Sequence, residues 1–125
     1  MALHDTLSFD TRSQAPDDID DTVGLVVDVL RTLPLEEAVT RTARYQARFF
    51  ALEAELLARN KAAGASDRSN EDLAGRGRKT TKADAKRRAK RGAAVGENPD
   101  LADDLSSGEL GTDQVDAIAD AAAKT

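Results

Sequence analysis

Residues 35–63 read LEEAVTRTARYQARFFALEAELLARNKAA. Within them Leu35, Ala38, Thr42, Tyr45, Phe49, Leu52 and Leu56 recur at alternating steps of three and four residues, the a and d positions of a heptad, and Val39, Phe50 and Leu57 widen the stripe. That period predicts one long helix, since strands alternate every second residue. Such a stripe requires a second helical surface, either the chain's own first helix or another copy. An ordinary intramolecular core is the first expectation. A face formed by Leu35, Tyr45, Phe49, Leu52 and Leu56 that docks a partner is the alternative.

Working outward, residues 1–18 mix Asp, Ser, Thr, Gln and Pro without helical or strand period and read as a mobile arm, which contains His4. From about residue 18 the pattern becomes helical, with Val23, Val26, Val27, Leu30 and Leu33 at helical steps and Asp17, Asp18, Asp20 and Asp21 at the favourable end of the dipole. Pro34 ends this helix, because it pushes residue 33 out of the α region. The two segments form an expected helical hairpin over 19–63, closed by Gly64.

Beyond it, Ser69 is read as the cap of a short helix with Leu73 and Ala74, stopped by Gly75 and Gly77, and Thr80 or Thr81 as the cap of a basic helix near 82–94. Gly96 is expected to end that helix. Asn98 before Pro99 predicts a start for a helix with Leu101, Ala102 and Leu105, Gly108 a turn, and Thr112 the cap of a last helix with Val115, Ile118, Ala119 and Ala122 on one face. The expected fold is therefore all-α: a small helical domain over 19–125 with about five helices. Residues 69–125 supply the basic helix and two short helices.

Charge is distributed unevenly. Residues 76–91 hold nine basic side chains and one acid, Asp84, in a chain of net charge −5. Residues 1–63 sum to −4, 64–95 to +6 and 96–125 to −7. The local basic surface, not the molecular total, determines attraction to a polyanion. A 100° step places Lys82, Lys86, Arg87, Lys90 and Arg91 on about half of the helix circumference, opposite Ala85, Ala89 and Gly92. A short helix, a glycine-bearing turn and a Thr-started basic helix have the layout of a helix-turn-helix, whose second helix enters the major groove of DNA. Thr80, Thr81 and Lys82 are placed to donate to phosphates. No aromatic interleaves the basic run, so duplex phosphates suit it better than single-stranded bases. The competing reading is a solvated charged helix shielding a thin alanine core.

Several classes are disfavoured. With no cysteine, thiolate metal sites, disulfides and thiol nucleophiles are excluded. The carboxylates Asp103, Asp104, Asp113, Asp116 and Asp120 fall on the wet faces of amphipathic helices, and Asp17, Asp18, Asp20 and Asp21 lack the spaced-oxygen plan of a calcium loop. Neither a catalytic set, a cofactor, a metal nor a small-molecule substrate is expected. No signal pattern or apolar run suggests a membrane, which makes the cytoplasm the default compartment.

Leu73-Ala74 before a glycine and basic turn, the Ala- and Arg-rich helix, Asn98-Pro99 before Leu101 and Leu105, and above all residues 108–119, GELGTDQVDAIA, resemble the helical N-terminal domain of actinobacterial HNH endonucleases, domain of unknown function 222. Arg44, Leu52, Glu53, Leu56 and Leu57 on the long helix are similar in character to that family's first helix. The resemblance covers about residues 20–125. It implies an association with DNA cleavage, in which a separate HNH module carries histidines and a divalent metal; no position here matches those histidines. Gly92 and Gly96 depart from the family's more apolar helix.

Together these observations lead to the expectation of a non-catalytic domain that holds duplex DNA through Arg76, Arg78, Lys79, Lys82, Lys86, Arg87, Lys90 and Arg91. Some five phosphate contacts imply a log–log salt slope of about −4 to −5. The alternative is a protein–protein module that forms a homodimer or docks a nuclease subunit.

Overall fold

The computed structural model describes residues 15–76 and 79–124. Its elements are α1 (Ala15–Thr32), α2 (Leu35–Ala62), α3 (Asp67–Ala74), α4 (Lys82–Glu97), α5 (Asp100–Ser107) and α6 (Thr112–Ala123). The all-α class is as expected, with six helices among the described residues where about five were predicted. Of the predicted arm, residues 1–14, with His4, lie outside the described residues. Residues 15–18 are helical, and Asp17 and Asp18 sit in the first turn of α1. Pro16 fits there because the first helical N–H groups have no intrahelical partner to lose.

Contacts divide the chain within α2, one unit ending at Thr42 and the other beginning at Ala43. In the first unit the expected apolar stripe of α1 is not covered: no residue of α1 is buried, and Val23, Val26 and Val27 remain 44%, 42% and 38% exposed.

The second unit holds the core. Ala51, Ala54 and Leu57 of α2 meet Ala74 of α3, Ala85 and Val95 of α4, Leu101, Ala102 and Leu105 of α5 and Val115 of α6, with Phe50, Ala94 and Leu110 packed at the margins. Alanine supplies much of this core, so the helices approach closely instead of interlocking large side chains. α4 comes close to α2 at two glycines. A Cβ built on Gly92 would stand 2.7 Å from Leu57 Cβ and 3.2 Å from the Ala54 carbonyl oxygen, and one on Gly96 3.3 Å from Ala58 Cβ. The two glycines that look like weak points of a helix are thus where α4 rests on α2.

This packing reverses the expected orientation of α2. The heptad-like stripe is not the inner face: Leu35, Phe49, Leu52 and Leu56 are 81%, 61%, 43% and 44% exposed, and Tyr45 is half-buried. The buried residues lie on roughly the opposite side of the helix, because the core selects the side that admits a second backbone.

Helix ends differ from expectation in detail. Ser66, not Ser69, caps α3, its hydroxyl accepting from the Ser69 N–H at 3.1 Å. Gly64 ends α2 at φ 100°, with its N–H on the Lys61 carbonyl and that of Ala65 on the Asn60 carbonyl, the paired bonds of a left-handed helix stop. α4 runs through Gly96 to Glu97. Pro99 already has helical angles, φ −58° and ψ −22°, so α5 starts where the Asn98-Pro99 signal places it to within a residue. Gly108 turns the chain at φ 85°. Gly111 instead of Thr112 caps α6, its N–H donating to Gln114 Oε1 at 2.8 Å.

Gly92→Ala tests the α2–α4 contact. The substitution favours an isolated helix by about 1 kcal/mol, yet here the new methyl meets a Cβ and a backbone carbonyl that cannot swing aside. A net destabilisation of roughly 1–3 kcal/mol is expected in thermal or urea unfolding; a stabilised variant would contradict the close approach.

Candidate nucleic-acid interface

α4 is the element that carries the basic stretch, and its register divides the charges into two groups. Thr81 begins it with extended backbone, φ −79° and ψ 157°, and its hydroxyl accepts from the Asp84 N–H at 3.0 Å. Asp84 replies from inside the first turn: its Oδ2 accepts from the Thr80 hydroxyl at 2.6 Å and lies 2.8 Å from Arg88 Nη2, and its Oδ1 is 3.3 Å from Arg87 Nη1. The one acid of the basic stretch therefore occupies the helix N-terminus itself, where a negative charge is favoured. Thr80 and Thr81, expected to serve phosphates, are committed to Asp84 and to the cap.

The bond from Thr80 is the main cause that holds the Asp84 carboxyl below the ordinary carboxylate value; partial burial opposes it, and Arg88, Arg87 and Arg91 add to the lowering.

Arg91 departs most from its expected place. It is 6% exposed, and its guanidinium meets Asp116 of α6 through two bonds, Nε to Oδ1 at 2.7 Å and Nη2 to Oδ2 at 2.8 Å. The Phe50 ring lies beneath, 6.0 Å from the guanidinium carbon. Burial opposes the charge on Arg91, but the Asp116 bonds and charge outweigh it and raise its pKa. The displacement has a simple origin. Val95 and Arg88 at helical steps of about 220° and 240° from Lys82 shift the inner arc of α4 towards Arg91, which stands at about 180°. Arg88 is likewise turned inward, its side chain 13% exposed and held by Asp84, by Glu53 at 3.8 Å and by the Ala74 carbonyl at 3.4 Å.

Lys90 reaches α6 less closely, 3.8 Å from Asp120, with half of its side chain exposed. The basic and acidic zones of the chain thus meet at Arg91–Asp116 and Lys90–Asp120. What stays outward is Lys82, Lys86 and Arg87 on α4, with Lys79 and Arg76 ahead of it. Arg78 lies outside the described residues. Beside this face a cleft of about 270 Å³ is floored by Ala89, Ala93 and Ala119 and edged by Lys61, Lys86 and Lys90 but also by Asp67, Glu71 and Glu97, so its rim has no single sign of charge.

Sequence reasoning missed Asp116, read as one residue of a wet face. A signal was present: Asp116 sits three residues before the buried Ala119 and directly after the buried Val115, at the edge of the inner stripe of α6. It also missed Asn70, which is 1% exposed and ties α3 to α2, donating to the Leu57 carbonyl at 3.0 Å and accepting from Asn60 at 2.8 Å.

Among the described residues no group of three or more His, Asp or Glu side chains is arranged to hold a metal ion, and no helix is long and apolar enough to cross a membrane.

Two outcomes follow from this geometry. Arg91→Ala leaves the Asp116 carboxylate buried without its partner and is expected to cost about 3–5 kcal/mol in urea unfolding, whereas loss of an exposed cation such as Lys82 changes stability by less than about 0.5 kcal/mol. Because the folded Asp84 carboxyl lies below its unfolded value, the stability it contributes is complete above the ordinary aspartate value of 3.8 and is lost as pH falls through the lowered folded value. Asp84→Asn should accordingly flatten the acid side of a stability-against-pH curve and leave its neutral slope unchanged; an unaltered acid limb would contradict the assignment. Comparison with family models, with curated proteins and with solved structures yields no match.

Proposed function

We propose that this chain is a non-catalytic helical domain that holds duplex DNA by phosphate contacts, related to the N-terminal helical part of HNH endonucleases. The observation that carries the reading is the division of charge on α4. Arg88 and Arg91 are turned inward and tie the helix to its neighbours through Glu53, the Ala74 carbonyl and Asp116, while Lys82 and Lys86 project outward together with Lys79 and Arg76, and Arg87 stays exposed although its guanidinium also reaches Asp84. A helix held firmly from behind by Gly92 and presenting unburied ammonium groups in front suits a phosphate backbone, which requires positive charge at a fixed spacing and no base-reading geometry.

Inward pairing of Arg91 and the nearness of Lys90 to Asp120 reduce the expected number of phosphate contacts from five to about four. A series of affinities for a labelled random duplex should therefore show a log–log salt slope of about −3 to −4. Neutralising Lys82 and Lys86 together, as Gln, should make that slope less steep by about two without altering the unfolding midpoint. An unchanged slope would remove the outer face of α4 from the interface, and equal affinity for a single strand of the same length would argue against a duplex ligand.

A further inference from the structure

Arg44 and Arg48 stand one turn apart on the part of α2 that belongs to the second unit. No acid lies three or four residues from either of them along the helix. Among the described residues no ion pair or hydrogen bond holds either guanidinium. Arg41, in the first unit, has by contrast its Nε 2.6 Å from Glu37 Oε1. Like charges one turn apart repel, so the Arg44–Arg48 pair weakens the helix as long as nothing negative lies between them.

Both arginines open onto a cleft of about 310 Å³ within the second unit, lined also by Ser106 at the end of α5 and by Ala43, Ala47 and Gly108, which are too small to fill it. That volume is at the lower end of the roughly 300–1,000 Å³ of small-molecule sites. The arginines are not needed to close the end of α5, because that turn satisfies itself. The Leu110 N–H donates to the Asp104 carbonyl at 3.1 Å and the Gly108 N–H to the Leu105 carbonyl at 3.3 Å. The Ser107 hydroxyl donates to the Asp104 carbonyl at 3.2 Å and accepts from the Glu109 N–H at 3.4 Å. Ser106 is half-buried, and its hydroxyl makes no hydrogen bond among the described residues.

The donor set selects the ligand. A planar carboxylate is satisfied by the fork of a single arginine, whereas two guanidiniums and a hydroxyl, supplied by two helices, suit an anion with three terminal oxygens. The two positive charges match the nearly doubly negative charge of a phosphate monoester at neutral pH better than the single charge of a diester. We propose that the cleft between α2 and the end of α5 binds a phosphate monoester, clamped by Arg44 and Arg48 with the Ser106 hydroxyl as third donor. The site uses none of the α4 cations, so it goes beyond the DNA reading and is tested without nucleic acid.

The test is a nuclear magnetic resonance titration of the arginine Nε–H and backbone amide signals with inorganic phosphate, methyl phosphate and dimethyl phosphate, each at constant ionic strength in chloride. Inorganic phosphate and methyl phosphate should move the signals of Arg44, Arg48 and Ser106 along saturating curves with one common midpoint. Dimethyl phosphate, with one charge and two terminal oxygens, should bind at least about tenfold more weakly. Arg48→Gln should weaken methyl phosphate by about tenfold with helical circular dichroism and unfolding midpoint retained, since it relieves a repelling pair on an exposed side of the helix. Lys82→Gln with Lys86→Gln should leave the phosphate midpoint unchanged. Shifts that rise without saturating, that centre on α4, or that persist in folded Arg48→Gln would overturn the proposal. Equal binding of dimethyl phosphate would also overturn it, marking the cleft as a contact for a phosphodiester backbone.

Discussion

The rest of the second unit depends on how closely α4 lies on α2. Gly92 sets that distance, since its Cα faces Leu57 Cβ and the Ala54 carbonyl with no room for a methyl between them. At such separation large side chains cannot fill the space, and the core is built of Ala51, Ala54, Ala85 and Ala102 around a few Leu and Val residues. Alanine buries little area and contributes little hydrophobic free energy per residue. Close packing compensates in part through dispersion contacts between backbones, and polar ties contribute the remainder.

Those ties explain why a basic helix can lie beside an acidic one without closing its outer face. Arg91 and Asp116 form a nearly buried bidentate pair, and Arg88 bonds back to α3 and into the Asp84 cluster. Their value lies more in fixing the rotation of α4 than in net stability, because burying two charges costs about what their attraction returns. With the rotation fixed, Ala85, Ala89 and Gly92 point inward and Lys82, Lys86 and Arg87 outward. The acidic zone therefore neutralises one edge of the basic helix and leaves the other free. That is the sense in which a chain of net charge −5 supports a cationic face.

Helix existence was legible because glycine, proline and capping residues bound periodic segments. Gly64 and Gly108 stand at left-handed turns, and Thr81 caps α4. Which face of α2 turns inward was not legible, because hydrophobic periodicity follows the large residues Phe49, Leu52 and Leu56, whereas the contact with α4 selects the small ones, Ala51 and Ala54, together with Leu57. Arg91 was misplaced for a related reason. Reading α4 by charge alone set its inner arc from two alanines and a glycine, and Val95 moves that arc by enough to bury one more arginine. Asp116 carried no distinguishing mark beyond its position beside Val115, since a pairing across 25 residues is a property of the fold. The outward cations were legible from the basic run itself, because an ammonium group needs no partner to be exposed.

The measurement that bears most directly on the central claim is acetylation footprinting of the lysines in the presence and absence of a saturating duplex, read by mass spectrometry. The division of α4 into a fixed inner side and a free outer side predicts strong protection at Lys79, Lys82 and Lys86, weaker protection at Lys90, which already approaches Asp120, and none at Lys124 at the end of α6. Protection spread evenly over all the lysines, or absent from Lys82 and Lys86, would contradict it.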